Sequence, residues 1–189
     1  LAAFPHLLLE GCSGGGGRVD YASLANFYSF WPSDNTDPYS RLKIQWMYMY
    51  FYPQNAVSAH VTKMGGRPFK FATDVAMSGA LGYDIDISNV SDVNKAYMKR
   101  TIGLYKNKIR PITSNGKYYR LMSPFDGSRS ALMSAGGGKA VVFVYSTGNS
   151  PAMKLKLKGL SPDKSYKIAE VGLYEDGAES AFPEHGKTL

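Results

Sequence analysis

Two short apolar runs near the start of the chain each end in a loop of small or charged residues. The first run, Leu7–Leu9, leads into the glycine-rich loop Cys12–Arg18, and the second, Phe27–Trp31, leads into the polar stretch Ser33–Arg41. Short, continuous apolar runs are typical of parallel strands that are buried on both faces. Both runs are therefore predicted strands, the first over Leu7–Glu10. In barrels of parallel strands, the functional groups lie at the carboxyl ends of the strands.

The residues of these two loops suggest a site for a small polar ligand. Side chains are missing from Gly14–Gly17, so the backbone there can come close to a ligand. Asp34 follows the aromatic run, and we expect the Trp31 ring to shield it from water and keep it protonated as a general acid. Arg18 and Arg41 are candidates for orienting carboxylates or sugar hydroxyls. The alternative for the same loops is a flexible glycine turn followed by a capped helix.

Taken together, the two loops resemble the paired signatures C-x-x-G-x-x-R and S-D-x-x-D-x-x-x-R of glycoside hydrolase family thirty-six, the microbial α-galactosidases. The first pattern is filled by Cys12, Gly15 and Arg18, and the second by Ser33, Asp34, Asp37 and Arg41. The likeness continues over Leu42–Gln45, Tyr52–Pro53, Ser58–Val61, Gly82–Asp86 and Tyr119–Phe125. The likeness covers nearly all of the chain, so chance is a poor explanation.

The resemblance implies a fold, a reaction and a role for each of these residues. The family fold is a (β/α)8 TIM barrel followed by an antiparallel β-sandwich. We therefore expect the C-terminal half of the barrel, four βα units, over residues 1–112 and a truncated sandwich over residues 113–189. The implied reaction is hydrolysis of terminal α-galactosides with retention, with Asp34 as the general acid/base. Substrate contacts are implied for Cys12, Gly15, Arg18, Trp31 and Ser33, and support of the loop for Asp37 and Arg41.

The chain lacks the residue that the family uses as its nucleophile. That residue is an aspartate in a Lys-Trp-Asp motif on an earlier strand, whereas here Trp31 is followed by Pro32 and Trp46 by Met47. A retaining mechanism requires two carboxylates. We therefore expect this chain to be the C-terminal part of an α-galactosidase and to be inactive by itself. Half a barrel leaves open sheet edges, which predicts association with the missing N-terminal half or a homo-oligomer.

Other functions stay open at this point. Without a nucleophile the chain would serve as a non-catalytic carbohydrate-binding module. Within the enzyme class, the alternatives are hydrolysis of α-N-acetylgalactosaminides and galactosyl transfer. Cys12 and Gly15 match the galactose pattern, which favours an α-galactoside oligosaccharide as the partner. Cys12 is then expected on a loop beside Asp34, close to a sugar-sized cavity.

Composition argues against several other classes of protein. A net charge of +7 suits nucleic-acid binding, but the cations are scattered and no nucleic-acid motif is present. A single cysteine excludes an intramolecular disulfide. Three distant histidines without ligand spacing predict no metal site, and no cofactor is expected. No apolar stretch is long enough to span a membrane, and residues 1–6 lack the basic start of a signal peptide. The compartment stays unknown, with the cytoplasm favoured.

Helix signals follow the second loop. Asp37 suits the N-cap position, and Pro38 suits the first helical turn because its missing N–H would be unpaired there anyway. Arg41 lies one turn after Asp37 and is expected to bind it. Apolar residues at helical spacing predict one buried stripe, formed by Ile44, Met47, Tyr48 and Phe51.

Two further strands and a helix are predicted next. Alternating apolar and polar residues over 57–61 predict a strand that carries His60, either hydrogen-bonded in a structural role or at the rim of the pocket. Residues 69–79 are predicted to form a helix, and residues 80–85 the last barrel strand. Asp84 and Asp86 share one face of it, as a second carboxylate site or as hydrogen-bonding groups at the strand end.

The last part of the chain changes from helical to β patterning. Ser91 is predicted to cap a long helix that Pro111 closes, with an apolar stripe of Met98, Ile102, Tyr105 and Ile109. Antiparallel strands are predicted over Tyr118–Met122, Ala131–Ser134, Ala140–Tyr145, Met153–Leu157 and Tyr166–Val171, with a hairpin at Gly136–Gly138. Lysines alternate with leucines over 154–158, as on a half-exposed strand.

Overall fold

The computed structural model describes residues 3–12, 14–17, 19–148 and 153–174. Helices and strands alternate in the first two thirds, and an antiparallel sheet follows. In chain order the elements are β1 (Glu10–Gly11), β2 (Ser29–Phe30), α1 (Pro38–Tyr48), β3 (Ser58–Val61), α2 (Phe69–Met77), β4 (Ala80–Tyr83), α3 (Asp92–Leu104), α4 (Arg110–Asn115), β5 (Lys117–Met122), β6 (Arg129–Gly136) and β7 (Lys139–Ser146).

The first four strands run parallel and lie side by side in chain order. β1 pairs with β2, and β3 pairs with β4. A parallel bridge between Phe30 and Val57 connects the two pairs. The carboxyl ends of the four strands, and the loops that follow them, therefore lie at one edge of the molecule, as the sequence predicts.

The first strand and the connection after it differ from expectation. The predicted buried strand Leu7–Glu10 is wrong, because the strand begins only at Glu10, and Leu7 and Leu8 are 55% and 72% exposed. No described element covers this apolar run. The expected α-helix of the first βα unit is also missing from the described residues, where a three-residue 3₁₀ helix, Ser23–Ala25, stands between β1 and β2.

Helix α1 starts as predicted but turns a different face inward. Asp37 accepts a hydrogen bond from the Ser40 amide at 2.9 Å, which confirms the N-cap, and Pro38 opens the helix. The predicted buried stripe is wrong, because Met47 and Phe51 are 49% and 61% exposed. The helix buries Pro38, Arg41, Leu42, Gln45 and Trp46 instead. Two of these side chains, at i and i+4, are polar: Arg41 bonds to β3 and Gln45 to α2. A search for an apolar stripe does not detect this pattern.

Helices α2 and α3 confirm the predicted helices, and Ser91 caps α3 by accepting a hydrogen bond from the Asn94 amide at 3.3 Å. Pro111 does not close the helix. A π-helical turn, Tyr105–Ile109, leads directly into α4, and Pro111 lies in the first turn of α4. A wider turn followed by a new helical start lets the chain continue, because a proline in the first turn removes no intrahelical bond.

The C-terminal part is built on a three-stranded antiparallel sheet of β5, β6 and β7. The hairpin between β6 and β7 is confirmed. Its two turn residues, Gly137 and Gly138, have φ angles of 59° and 73°, which glycine adopts without the steric cost that a Cβ imposes. The two later predicted strands, Met153–Leu157 and Tyr166–Val171, are wrong, although the lysines of 154–158 are exposed and the leucines between them half-buried as expected.

One hydrophobic core joins the helices to the antiparallel sheet. Its buried members are Leu42, Trp46, Val75, Met77, Tyr105, Ile109, Leu132, Phe143 and Tyr145. They come from α1, α2, the π-helical turn, β6 and β7, so the core extends across residue 112. A smaller cluster of Ala59, Val61, Ala72 and Ala76 holds α2 against β3.

Candidate functional site at the strand ends

The glycine loop after β1 lies directly against the loop after β2. Gly15 has a φ of 79°, and a Cβ atom added to it would lie 2.9 Å from the amide nitrogen of Asp34. Any side chain at this position would therefore push the two loops apart. The backbone of the glycine loop comes close to Asp34 because β1 and β2 are neighbours, and the Trp31 amide donates to the carbonyl of Gly11 at 2.8 Å.

Side chains of the second loop hold its backbone in place. The Asn35 amide donates to the Ser33 hydroxyl oxygen at 3.1 Å, and the Asp37 amide donates to the Asn35 side-chain oxygen at 3.1 Å. The cap from Asp37 to Ser40 continues this series. Each polar residue thus fixes the backbone two or three residues onward, a habit of Ser, Asn and Asp in turns. The Ser33 hydroxyl serves the turn here.

The Asp34 carboxylate is used differently from its neighbours. It is exposed, and its Oδ1 accepts a hydrogen bond from the Trp31 indole Nε1 at 2.9 Å. The expectation that Trp31 shields Asp34 from water is wrong for this chain, because the indole meets the carboxylate with its N–H edge. Asp34 is therefore held at one oxygen and open to solvent, which suits a group that must reach another molecule.

The Trp31 ring lies between a cation and an imidazole. The Arg41 guanidinium carbon lies 4.3 Å from the ring centroid, and the His60 ring lies 4.8 Å away at an interplanar angle of 49°. Arg41 comes from α1 and His60 from β3. The orientation of the indole is thus set by two elements that are distant from it in sequence.

Arg41 is 2% exposed and incompletely paired. Its Nη1 donates to the backbone oxygen of Ser58 at 3.2 Å, while Nε and Nη2 have no hydrogen-bond partner among the described residues. Burial lowers the pKa of Arg41 to about 10, against an opposing attraction from Asp34. The expected contact between the side chains of Arg41 and Asp37 does not form, because Arg41 points inward and Asp37 caps the helix. A cavity of about 10 Å³ borders Arg41, with room for about one water molecule.

A second set of polar contacts connects the first three strands. Glu10 Oε2 accepts hydrogen bonds from the hydroxyls of Ser29, at 2.8 Å, and of Ser58. These residues lie on β1, β2 and β3, so one carboxylate ties together three strands whose backbone ladders are very short. This cluster is not among the residues predicted from the sequence. The signal was a charged residue at the end of an apolar run, followed by serines within two later strands.

His60 and the two aspartates near β4 have separate roles. Burial lowers the pKa of His60, so the neutral imidazole is favoured against the Trp31 ring. Asp86 accepts hydrogen bonds from the Ser88 amide at 3.0 Å and from the Asn89 side chain at 2.7 Å, which confirms hydrogen bonding at the strand end. Asp84 is exposed at the end of β4.

Comparison with known proteins identifies the family of this arrangement. The sequence profile of the Melibiase family matches residues 1–116, and the match ends one residue before β5 begins. The chain belongs to the melibiase family. It is 42% identical over 182 residues to the α-galactosidase AgaA of Geobacillus stearothermophilus, an alignment that covers 90% of this chain and 25% of AgaA.

Solved structures of this family have the same fold. A crystal structure of an AgaA variant in complex with raffinose has a TM-score of 0.79 at 40% identity and covers 85% of this chain and 24% of that one. An AgaA variant in complex with 1-deoxygalactonojirimycin has a TM-score of 0.80 at 39% identity, with coverages of 86% and 24%. The chain spans about a quarter of the length of the melibiase relatives it matches.

The structure brings most of the predicted site residues together. Gly15, Trp31, Ser33 and Asp34 lie in two touching loops, with Arg41 behind the indole. Cys12 is exposed where the glycine loop leaves β1. Arg18 lies outside the described residues. Neither Cys12 nor Asp34 lines the cavity beside Arg41, and a sugar-sized cavity next to them stays a prediction.

Membrane-spanning helices and metal-ion clusters are both absent from the described ranges. Within them, no helix is both long and apolar enough to cross a membrane. In the same part of the chain, no three His, Cys, Asp or Glu side chains come together as they would around a metal ion.

Proposed function

We propose that this chain is the C-terminal part of a retaining α-galactosidase in which Asp34 is the general acid/base. The observation that carries the proposal is the position of Asp34. Its carboxylate is exposed at the carboxyl end of a parallel strand, held at one oxygen by Trp31 and bordered by the Gly15 backbone. Barrel enzymes have their catalytic groups at this position.

The proposed fold of the longer protein follows from the same strands. Four parallel strands in chain order, with helices after the second, third and fourth, correspond to half of a (β/α)8 barrel over residues 1–112. The antiparallel sheet and the segment beyond it then belong to a sandwich domain over residues 113–189. The exposed run at Leu7 and Leu8 supports this, because a preceding strand or helix of the barrel would cover it.

The substrate class rests on the relatives. Variants of AgaA have been crystallised with raffinose and with stachyose. For this chain we propose terminal α-galactosides of oligosaccharides. Double displacement needs a second carboxylate about 5–5.5 Å from the first. The chain has no Lys-Trp-Asp motif, so the remainder of the barrel supplies the nucleophile.

Asp34→Ala in the longer protein that includes this chain tests the role of Asp34. The second-order rate constant kcat/KM for melibiose should fall by roughly 10²–10⁴-fold, the usual contribution of general acid–base catalysis. The fall should be smaller for 4-nitrophenyl α-galactoside, whose leaving group needs little protonation. Added azide should raise kcat for the aryl substrate and give galactosyl azide, since azide attacks the glycosyl-enzyme without a general base.

Asp37→Asn is the matched control, because it changes a carboxylate three residues away in the same loop. Its expected effect is a lower melting temperature from the weakened helix cap, an unchanged ratio of kcat/KM between the two substrates, and no response to azide. Azide rescue of Asp37→Asn without rescue of Asp34→Ala would reverse the assignment. The isolated 189-residue chain should not turn over 4-nitrophenyl α-galactoside at an enzymatic rate, and turnover by it would contradict the missing nucleophile.

A further inference from the structure

We infer that Trp31 and Arg41 are positioning residues for Asp34. Trp31 acts on the carboxylate directly, and Arg41 acts through Trp31. Arg41 holds the indole ring, and the indole N–H holds the carboxylate in the orientation for proton transfer. The inference rests on the proposed role of Asp34 as general acid/base. It assigns Trp31 a role other than contact with the sugar, and Arg41 a role other than support of the loop.

The hydrogen bonds within the loop fix its backbone but not the orientation of the Asp34 side chain. Ser33, Asn35 and Asp37 each fix a backbone amide. The indole Nε1 of Trp31 contacts the Asp34 carboxylate at 2.9 Å. A hydrogen bond at one oxygen restricts the rotation of the Asp34 carboxylate. Catalysis by a positioned acid depends on such alignment, because a displacement of about 1 Å can cost about 100-fold in rate.

The indole is in turn fixed by groups on both α1 and β3. The Arg41 guanidinium lies 4.3 Å from the ring centroid and the His60 ring 4.8 Å. A cation near the ring is attracted by its π-electrons. It also polarises the indole, which strengthens the N–H as a donor to a carboxylate. The electrostatic attraction between the Asp34 carboxylate and the buried charge of Arg41 also favours the carboxylate position beside the indole.

Stability alone does not explain Arg41. A buried cation is costly unless it is paired and hydrogen-bonded, and an apolar side chain of similar volume is often no less stable in its place. Arg41 makes one hydrogen bond, to Ser58, and two of its nitrogens have no partner among the described residues. A charge kept under these conditions, against the ring that holds Asp34, indicates a role in the site.

Trp31→Phe tests the first step in the longer protein. It keeps an aromatic ring over Arg41 but removes the N–H, so the inference predicts a fall in kcat/KM of about tenfold or more for melibiose, since hydrogen bonds to charged groups are among the stronger ones. The fall for 4-nitrophenyl α-galactoside should be several times smaller. Binding of 1-deoxygalactonojirimycin, and KM, should change by less than about threefold, because positioning of a proton donor leaves ground-state binding unchanged.

Trp46→Phe is the matched control. Trp46 also lies near an arginine, with the Arg120 guanidinium 5.9 Å from its ring centroid, but it is buried in the main core. The same substitution there should change the melting temperature and leave the ratio of kcat/KM between the two substrates as it was.

Arg41→Lys and Arg41→Met test the second step. Both variants should lose more kcat/KM for melibiose than for 4-nitrophenyl α-galactoside. Arg41→Lys should be the milder change because it retains the charge. Arg120→Lys is the control and should preserve the ratio of kcat/KM between the two substrates.

Two results would overturn the inference. Equal losses of kcat/KM on the two substrates, with weaker binding of 1-deoxygalactonojirimycin in Trp31→Phe, would mean that Trp31 binds sugar. If Trp31→Phe loses more kcat/KM on melibiose than on the aryl substrate but neither Arg41 variant does, the role of Arg41 is overturned. A failed azide rescue of Asp34→Ala would refute the proposed function first, so the two failures are distinguishable.

Discussion

The parallel strands β1–β4 and the antiparallel sheet β5–β7 are held together in different ways. β1 and β2 share two residue pairs, and a single bridge connects them to β3. By contrast, β6 pairs with β7 over eight residues, and its residues Ser130–Ala135 are all buried. Side-chain contacts from Glu10 and Arg41 supplement the short ladders of the first three strands, whereas β6 and β7 are joined by a long backbone ladder.

The two parts also differ in the side chains that they expose to other molecules. The strand ends of the parallel part carry Asp34, Trp31 and the glycine loop in an open position. Several polar side chains there make specific contacts in a region with few backbone pairs. The antiparallel sheet contributes Leu132, Phe143 and Tyr145 to the core. We therefore expect substitutions in the two parts to separate activity from stability.

The largest effect on stability is expected at the centre of β6. Met133 is fully buried, and Met133→Ala should lower the free energy of unfolding by about 2–5 kcal/mol, the usual cost of removing a large core side chain. Urea denaturation measures this. Val144→Ala on β7, where the side chain is 49% exposed, is the control and should cost far less. A small loss at Met133 would mean that the antiparallel sheet is not the more firmly packed part.

A pH-dependent effect is expected at the helix that joins the two parts. Burial raises the pKa of Asp74 on α2 to about 6, although Lys70 forms an ion pair with it. As the pH rises from about 4 to about 6, the unfolded chain loses the proton before the native chain does, so the stability falls by about 2 kcal/mol. Melting temperatures across this range should show a flatter dependence for Asp74→Asn. An unchanged slope would contradict the raised pKa.

A matched pair of serines compares the two parts directly. Ser58 and Ser130 are both 2% exposed, but the Ser58 hydroxyl donates to Glu10, whereas the Ser130 hydroxyl has no partner among the described residues. Ser58→Ala should cost about 1 kcal/mol or more, and Ser130→Ala should be neutral or stabilising, because an unpaired buried hydroxyl is itself unfavourable. Chemical denaturation of both variants measures the difference. A larger loss of stability for Ser130→Ala than for Ser58→Ala would contradict this comparison.

The smallest effect is expected at the hairpin turn. Gly137 has a φ of 59° with open space around it, so Gly137→Ala should cost roughly 1 kcal/mol from backbone strain alone. Gly103 in α3 also has open space but a helical backbone, and Gly103→Ala should stabilise by up to about 1 kcal/mol. Thermal melting distinguishes the two signs. A loss at Gly103 equal to that at Gly137 would point to a packing effect and not to backbone conformation.

Much of this structure follows from local sequence. Asp37-Pro38 determines where α1 begins, because the carboxylate caps free amides and proline suits the first turn. Consecutive glycines at 136–138 determine the hairpin turn, because its two central residues need positive φ. The adjacency of Gly15 and Asp34 also follows, since each lies in a loop that ends one of two successive parallel strands. All three depend on neighbours within a few residues or on strand order.

Tertiary structure alone decided which face of α1 is buried and how Trp31 meets Asp34. Apolar spacing in α1 favoured Met47 and Phe51 for the core, but the buried face carries Arg41 and Gln45. Their partners, Ser58 on β3 and Val75 on α2, lie 17 and 30 residues away. The Trp31 indole likewise donates its N–H to Asp34 while Arg41 and His60, from two other elements, lie against its ring. Local patterns encode hydrophobicity and backbone preference. Which polar group is buried, and against what, depends on elements that meet only when the chain folds.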